Sequence, residues 1–289
     1  MTAVLDTGDK ERLAQSASQF LVDQHNPQNG PATREQAGTH IRIRPYRNSD
    51  SDQVRKLFQT TMTRDPDSPF TVAMRGQLSS PVSLAGYSLV GIGLLTLVRS
   101  TTVLVKNLGI GMALIGGLSF IVYRYLIYSG FKGFLKKSLN GDLADISTTY
   151  GMKSLKVGGT NAGDLYPAGK SGFWIAESYG ENLEPELVGC VGLDFNTNPD
   201  ETKAELRRMV VSSRHRRRGI AHLLLKAAVG HARKNTIKSI YLTTSSFQSP
   251  AINMYKKLGW NVEGIRKVRF LFENVHIYEF NLDVPTSHL

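Results

Sequence analysis

The chain has 289 residues, room for one generous domain or two modest ones, and 35 Lys and Arg against 24 Asp and Glu leave a net charge of +11. At 41% hydrophobic it holds enough material for a real core, which excludes a wholly disordered chain. A single cysteine, Cys190, excludes an intramolecular disulfide and a cysteine-based zinc site, and no His/Asp/Glu cluster at metal spacing replaces it, so no metal is expected.

Acids stand among the first ten residues and no apolar segment follows them, so no cleaved secretory signal is expected. Residues 1–38 are polar and read as a disordered tail, with a short helix near Lys10–Val22. The alternation Ile-Arg-Ile-Arg-Pro-Tyr over 41–46 predicts a strand, and Asn48-Ser49-Asp50 then caps an amphipathic helix running to about Met62. This strand and helix form the first part of a globular domain, residues 39–75. From Gly76 to Val98 there is no charge, and from Asn107 to Phe131 only Arg124. Each run exceeds the 18 or so apolar residues that mark a membrane-spanning candidate. The glycines Gly86, Gly91, Gly93, Gly109, Gly111, Gly116 and Gly117 weaken helices in water but let two packed helices approach closely in lipid. Residues 76–131 therefore read as a membrane helical hairpin, the alternative being a buried hairpin of a soluble fold.

The main part of the domain, 132–289, begins with a short helix over Gly141–Thr149 and a Gly/Pro/Asn loop over Val157–Gly172. Strands follow at Phe173–Glu177 and Leu187–Phe195, separated by the acidic turn Gly180–Pro185, and at Ala204–Val211. Cys190, inside the apolar run 187–193, has the setting of a core thiol. Apolar residues at Ile220, Leu223, Leu224, Ala227 and Ala228 predict a helix over Arg218–Lys234; Ser239–Thr243 is a strand and Pro250–Leu258 a helix opened by proline. Two strands, Val262–Val268 and His276–Leu282, close the chain. The order predicts an α/β fold built on a mixed sheet.

Chemistry concentrates in residues 205–221. A strand ends near Val211, a basic turn follows and a helix begins around Gly219, so the first N–H groups of that helix leave the turn unpaired and favour an anion. Gly219 allows close approach and Ala221 is small, so a diphosphate can sit against the amides of Arg217, Arg218, Gly219 and Ala221. Seven basic side chains, Lys203, Arg207, Arg208, Arg214, Arg216, Arg217 and Arg218, surround the single acid Glu205. A phosphate-rich ligand fits this turn. Nucleic acid would also answer the charge, but aromatics are not interleaved with it and no nucleic-acid partner is expected. The turn lacks the Gly-x-x-x-x-Gly-Lys of a P-loop.

Arg216-x-x-Gly219-x-Ala221 resembles the Gln/Arg-x-x-Gly-x-Gly/Ala signature of the GNAT superfamily of N-acetyltransferases, with the strand before and the helix after that the signature requires. Downstream, Ala251-Ile-Asn-Met-Tyr255-Lys-Lys-Leu-Gly259-Trp260 is similar to its second motif, Ala-x-x-x-Tyr-x-x-x-Gly-Phe. The resemblance covers residues 40–284 apart from the apolar insert. That insert, with Ser171–Ser178, is similar to the membrane-bound branch that includes cysteine-S-conjugate and aspartate N-acetyltransferases. What the resemblance implies is a mostly antiparallel sheet flanked by helices, acetyl-CoA as co-substrate, and direct attack by an amine in a ternary complex. The acceptor would be a small amino acid or conjugate, or a protein lysine. On the family pattern Met209, Val210 and Val211 hold the pantetheine arm and polarise the thioester, and Arg216, Arg217, Arg218, Gly219, Ile220 and Ala221 carry the pyrophosphate. Gln248 stands where the family often has a cofactor-binding Asn. Tyr255 protonates the departing thiolate, unless it is only a core tyrosine. Glu205 removes the amine proton, unless it is a surface glutamate paired with Arg207 or Lys203. Arg217 replaces the first glycine of the usual turn, where a side chain either clashes with the diphosphate or grips it.

The first strand and those after 173 share one sheet and so one side of a bilayer, which requires the chain to cross it an even number of times or to enter as a re-entrant wedge. Arg75, Lys132, Lys136 and Lys137 on the domain side outnumber Arg99 and Lys106 at the tip, which favours a cytosolic domain drawn to anionic lipid; the resemblance to the membrane-bound branch implies the endoplasmic reticulum or another endomembrane as its location. The rival from another class is a catalytically silent acyl-CoA-binding membrane protein.

Overall fold

The computed structural model describes residues 33–36, 39–154, 165–180, 184–270 and 273–285. The helix expected near 10–22, residues 155–164 and residues 181–183 of the acidic turn lie outside them. Ten strands are described: β1 Thr33–Gln36, β2 Thr39–Pro45, β3 Met152–Ser154, β4 Leu165–Pro167, β5 Gly172–Tyr179, β6 Glu186–Asp194, β7 Lys203–Val211, β8 Ser239–Ser245, β9 Asn261–Phe270 and β10 Glu273–Asp283. Seven helices join them: α1 Ser51–Thr63, α2 Pro69–Gly76, α3 Pro81–Arg99, α4 Val103–Asn140, α5 Ile146–Thr149, α6 Ile220–Lys234 and α7 Ser249–Lys257.

One eight-stranded sheet, in the order β1-β2-β5-β6-β7-β8-β10-β9, organises the domain, and β3 and β4 form a small separate pair. Every described pairing is antiparallel except β7 with β8. This is the expected mixed, mostly antiparallel sheet flanked by helices. Its centre is apolar on both faces because both are covered. Along β5, Phe173 and Ile175 enter a cluster with Val54 and Phe58 of α1 and with Leu143, Ile146 and Tyr150. Trp174 and Ala176 turn the other way, toward Leu224, Leu225 and Ala228 of α6 and Ile252 and Tyr255 of α7. On α6 the buried residues Ile220, Leu224, Leu225, Ala228, Val229 and Ala232 recur at helical spacing and form one stripe.

Several elements differ from expectation. Thr33–Gln36, within the stretch read as a tail, pairs with β2 at the sheet edge. The two closing strands run longer than expected, β9 to Phe270 and β10 from Glu273, and pair as a hairpin. Of Gly141–Thr149 only Ile146–Thr149 is helical, capped by Asp145, whose carboxylate accepts from Thr148 N at 2.9 Å.

The first apolar helix starts at Pro81 rather than Gly76, because α2 and a 3₁₀ turn at Gln77–Ser79 come first and Ser80 caps α3. The helices α3 and α4 pack as a hairpin through two pairs of glycines. A methyl group on Gly116 would lie 2.5 Å from the Gly86 carbonyl oxygen, and one on Gly93 would lie 2.5 Å from that of Gly109. Away from this seam the hairpin is bare: Leu84, Ile92, Leu94, Leu95, Leu104 and Leu118 are all about half exposed or more. At Tyr123 and Ile127 the environment changes, since both are buried with Ala73 in a cluster that includes Val82, Phe131 and Phe247. Beyond this point α4 is part of the domain, and Arg55 bonds the carbonyls of Leu139 and Leu143 at 2.6 and 2.7 Å to tie down its end.

Candidate active site

The site begins where two parallel neighbours separate. β7 and β8 pair only from Lys203–Ser239 to Glu205–Tyr241, after which β8 continues against β10 and β7 against β6. The edge of β7 that faces β8 is thus without ladder bonds from Leu206 to Val211, and backbone groups left there seek a partner. A bulge sharpens the divergence. The β6–β7 register shifts between Cys190 and Gly192, and Arg208 inside it has φ of 53°. The bulge puts Ala204, Leu206, Met209 and Val211 on the α6 side and Val210 on the α1 side.

The basic turn leaves β7 at the open end of this gap. A 3₁₀ turn, Ser213–His215, leads to Arg217 with φ of 67° and Gly219 with φ of 78°, both left-handed, and α6 starts at Ile220 without a side-chain cap. Its first internal bond is from Leu223 N to the Gly219 carbonyl. Among the described residues no acceptor is found for the amides of Arg217, Arg218, Gly219 and Ala221, so the turn is an open arc of donors at the positive end of a helix. Arg217 is exposed. Arg216 is engaged elsewhere: Nη2 meets Asp65 Oδ2 at 2.9 Å and Nε donates to the Val211 carbonyl at 3.3 Å.

Tyr255 and Gln248 lie beyond the end of β8. Gln248 precedes α7 and accepts from Thr244 Oγ1 at 3.1 Å. Tyr255 is 5% exposed, its ring 5.4 Å from that of Trp260 and 5.7 Å from that of Phe280, and it shares a core cluster with Ile220 at the start of α6. Its hydroxyl has no hydrogen-bond partner among the described residues, and burial pushes its pKa up, which keeps the proton on at neutral pH.

Glu205 sits at the last position of β7 that pairs with β8, half-buried, with Oε2 held by Arg207 at 2.7 Å from Nε and 2.6 Å from Nη2. Arg207 also meets Asp194 Oδ2 at 2.9 Å. The pairing foreseen as an alternative for Glu205 is therefore present, as one arm of a carboxylate–guanidinium–carboxylate row.

Two groups near the site were not legible in the sequence. Arg208, on the bulge, reaches Asp142, just past the end of α4, at 2.7 and 2.5 Å and Ser138, in its last turn, at 2.9 Å. Burial works to raise the Asp142 pKa, but the bonds and charge of Arg208 outweigh it and hold the carboxyl below its ordinary value. Asp65 joins the α1–α2 connection to the basic turn. Both contacts bridge more than 60 residues of sequence, a distance over which no local pattern carries information. Among the described residues no group of three His, Cys, Asp or Glu side chains is arranged to hold a metal.

This geometry agrees with the chain's likenesses to known proteins. Residues 149–260 match the acetyltransferase (GNAT) family. The chain is 28% identical to N-acetyltransferase 8 of Mus musculus over 86% of its own length and 96% of that protein's. It is 26% identical to N-acetylaspartate synthetase of Danio rerio over 88% and 79%, and 25% identical to the probable N-acetyltransferase camello of Xenopus tropicalis over 83% and 93%. A strand splayed from its neighbour, an uncapped helix after it and two acetyltransferase motifs in order occupy the matched segment, and the chain is an N-acetyltransferase carrying a GNAT acetyltransferase domain.

Proposed function

We propose that the chain moves the acetyl group of acetyl-CoA to a primary amine in a ternary complex, with the catalytic domain on the cytosolic face of an endomembrane. The observation that carries this reading is the open arc of amides at 217–221, at the mouth of the β7–β8 gap, with Ile220 at its helical end in one core cluster with Tyr255. The arc, with Ile220 at its helical end, suits a diphosphate, Gln248 flanks the gap, and the free edge over Met209, Val210 and Val211 suits an amide-bearing pantetheine arm.

The amine nitrogen attacks the thioester carbonyl carbon, and an amide of the free β7 edge stabilises the oxygen that gains charge. As the C–S bond breaks, Tyr255 gives its proton to the thiolate, and Glu205 takes the surplus amine proton directly or through a water. Arg207 orients Glu205 for this. The acceptor is a small amino acid or conjugate, or a protein lysine. The names of the relatives favour the small molecule, since one makes N-acetylaspartate.

Anchoring rests on the hairpin. Both helices are long and apolar enough to cross a membrane, and only 17% of the most apolar window of each is buried. Nineteen residues, Pro81–Arg99, reach about 28 Å, close to the roughly 30 Å of a hydrocarbon core. Tyr125 and Tyr128 are exposed just past this level, with Lys132 over the Tyr128 ring, an interfacial pattern. The experiment is detergent-solubilised chain, labelled acetyl-CoA and a panel of amines. Acetylated product that disappears in Gly219→Glu supports the reading. Coenzyme A binding without transfer to any amine would instead make the chain a silent acyl-CoA-binding protein.

A further inference from the structure

Arg216 opens the family signature and carries a positive charge beside the amide arc, so a direct bond to phosphate is the obvious role. Its surroundings assign it another. The guanidinium is neutralised by Asp65, which is 6% exposed, and it also bonds the carbonyl of Val211, the last residue of the splayed strand. The second oxygen of Asp65 accepts from Ser213 Oγ at 3.0 Å. One buried carboxylate thereby grips the turn at both of its ends, Ser213 and Arg216. Asp65 is itself held, since its backbone carbonyl accepts from Ser68 N at 2.9 Å and Thr71 Oγ1 at 3.2 Å at the start of α2.

Such a clamp has a physical purpose. Between Arg216 and α6 the backbone takes two left-handed residues, and the one at Arg217 is costly for a side chain with Cβ. A strained arc persists only where its ends are fixed. We propose that Asp65 and Arg216 are positioning residues for acetyl-CoA, which do not touch it but hold the amides of 217–221 in the arc that receives its diphosphate. The inference rests on the acetyl-CoA reading of this turn. Asp65 lies 16 residues before Pro81, so the segment that leads into the hairpin also shapes the cofactor site.

Two roles for Arg216 make opposite forecasts for Asp65→Asn. If Arg216 bonds phosphate directly, freeing it from its partner tightens coenzyme A. If it positions the turn, the same change weakens coenzyme A. The test is calorimetric titration of the full detergent-solubilised chain with coenzyme A, together with KM and kcat for acetyl-CoA. Positioning gives a Kd and KM about tenfold higher in Asp65→Asn and in Arg216→Gln, with kcat within about twofold, and a double variant no worse than either single one. Ser213→Ala, which removes a lesser bond and spares the charge pair, weakens coenzyme A by a smaller factor and keeps the inference testable if Asp65→Asn does not fold. Unchanged or tighter binding in Asp65→Asn or in Ser213→Ala, or fully additive losses in the double variant, would overturn it. Failure of the wild-type chain to bind coenzyme A would instead remove the reading on which it rests.

Discussion

Tyr255 combines deep burial, an aromatic cage and a hydroxyl with no partner among the described residues. Loss of a hydroxyl that is unbonded in the resting fold costs little stability, whereas loss of a general acid costs about 100-fold or more in rate. Tyr255→Phe is therefore expected to keep Tm and coenzyme A binding and to lower kcat by about 100-fold; unchanged single-turnover thiol release would exclude the acid role. A second residue sets part of the pH response. His231 packs on Trp174 with ring centroids 5.1 Å apart, and burial lowers its pKa against the partly compensating bond to the Gly169 carbonyl. His215 shifts the same way, again through burial. Unfolded histidine titrates near about 6.5, so below that pH the unfolded chain binds more protons and stability falls. Thermal melting should show Tm declining from about pH 7 to pH 5, and less steeply in His231→Gln. Glu177 adds a lower window. Burial pushes its carboxyl up, the bonds from Arg44 and Tyr179 outweigh that, and the net depressed pKa contributes stability that is lost as pH falls below about 4.

At the scale of elements, the hairpin shows how small residues do structural work. Gly116 faces Gly86 so closely that a side chain would meet the backbone of α3, while the adjacent Gly117 has nothing within 4 Å. Gly116→Leu must push the helices apart and is expected to lower the melting temperature in detergent, an overpacking cost of about 1–3 kcal/mol. Gly117→Leu, on the open face, should leave it unchanged; equal effects would mean that the glycines serve something other than contact between α3 and α4. The basic turn follows the same logic of backbone form. Arg217 and Gly219 share the left-handed region, so Arg217→Gly is expected to preserve the arc and the melting temperature, and any loss of coenzyme A affinity then measures the guanidinium alone.

At the scale of the molecule, the domain is interrupted by the hairpin and closed again around it. α1 precedes the insert, α4 leaves it, and both pack on the sheet face that holds Phe173, Ile175 and Cys190. The aromatic seam of Phe70, Phe131 and Phe247 sets the hairpin base against the turn that carries Gln248. The cofactor side of the site and the proposed membrane surface are thus neighbours. A glycosylation acceptor inserted in a lengthened tip between Ser100 and Thr102 is expected to be modified in microsomes, while both chain ends stay open to added protease. An unmodified tip would favour a re-entrant wedge over a spanning hairpin.

Much of this was legible in residue order. Apolar spacing marks α6, alternation marks β2, and the paired motifs at 216–221 and 251–260 identify the chemistry, because these signals are local and repeat with the period of the element. Charge-free length alone exposes both helices of the hairpin. What only the folded chain decided is which polar groups meet: Asp65 with Arg216, Asp142 with Arg208, and Glu205 with Arg207 rather than with Lys203. It also decided where one face of the second apolar run first packs on the domain, at Tyr123 and Ile127, since burial depends on what packs alongside. An ion pair across more than 60 residues leaves no periodicity to read, and its partners are chosen by the sheet that brings them together.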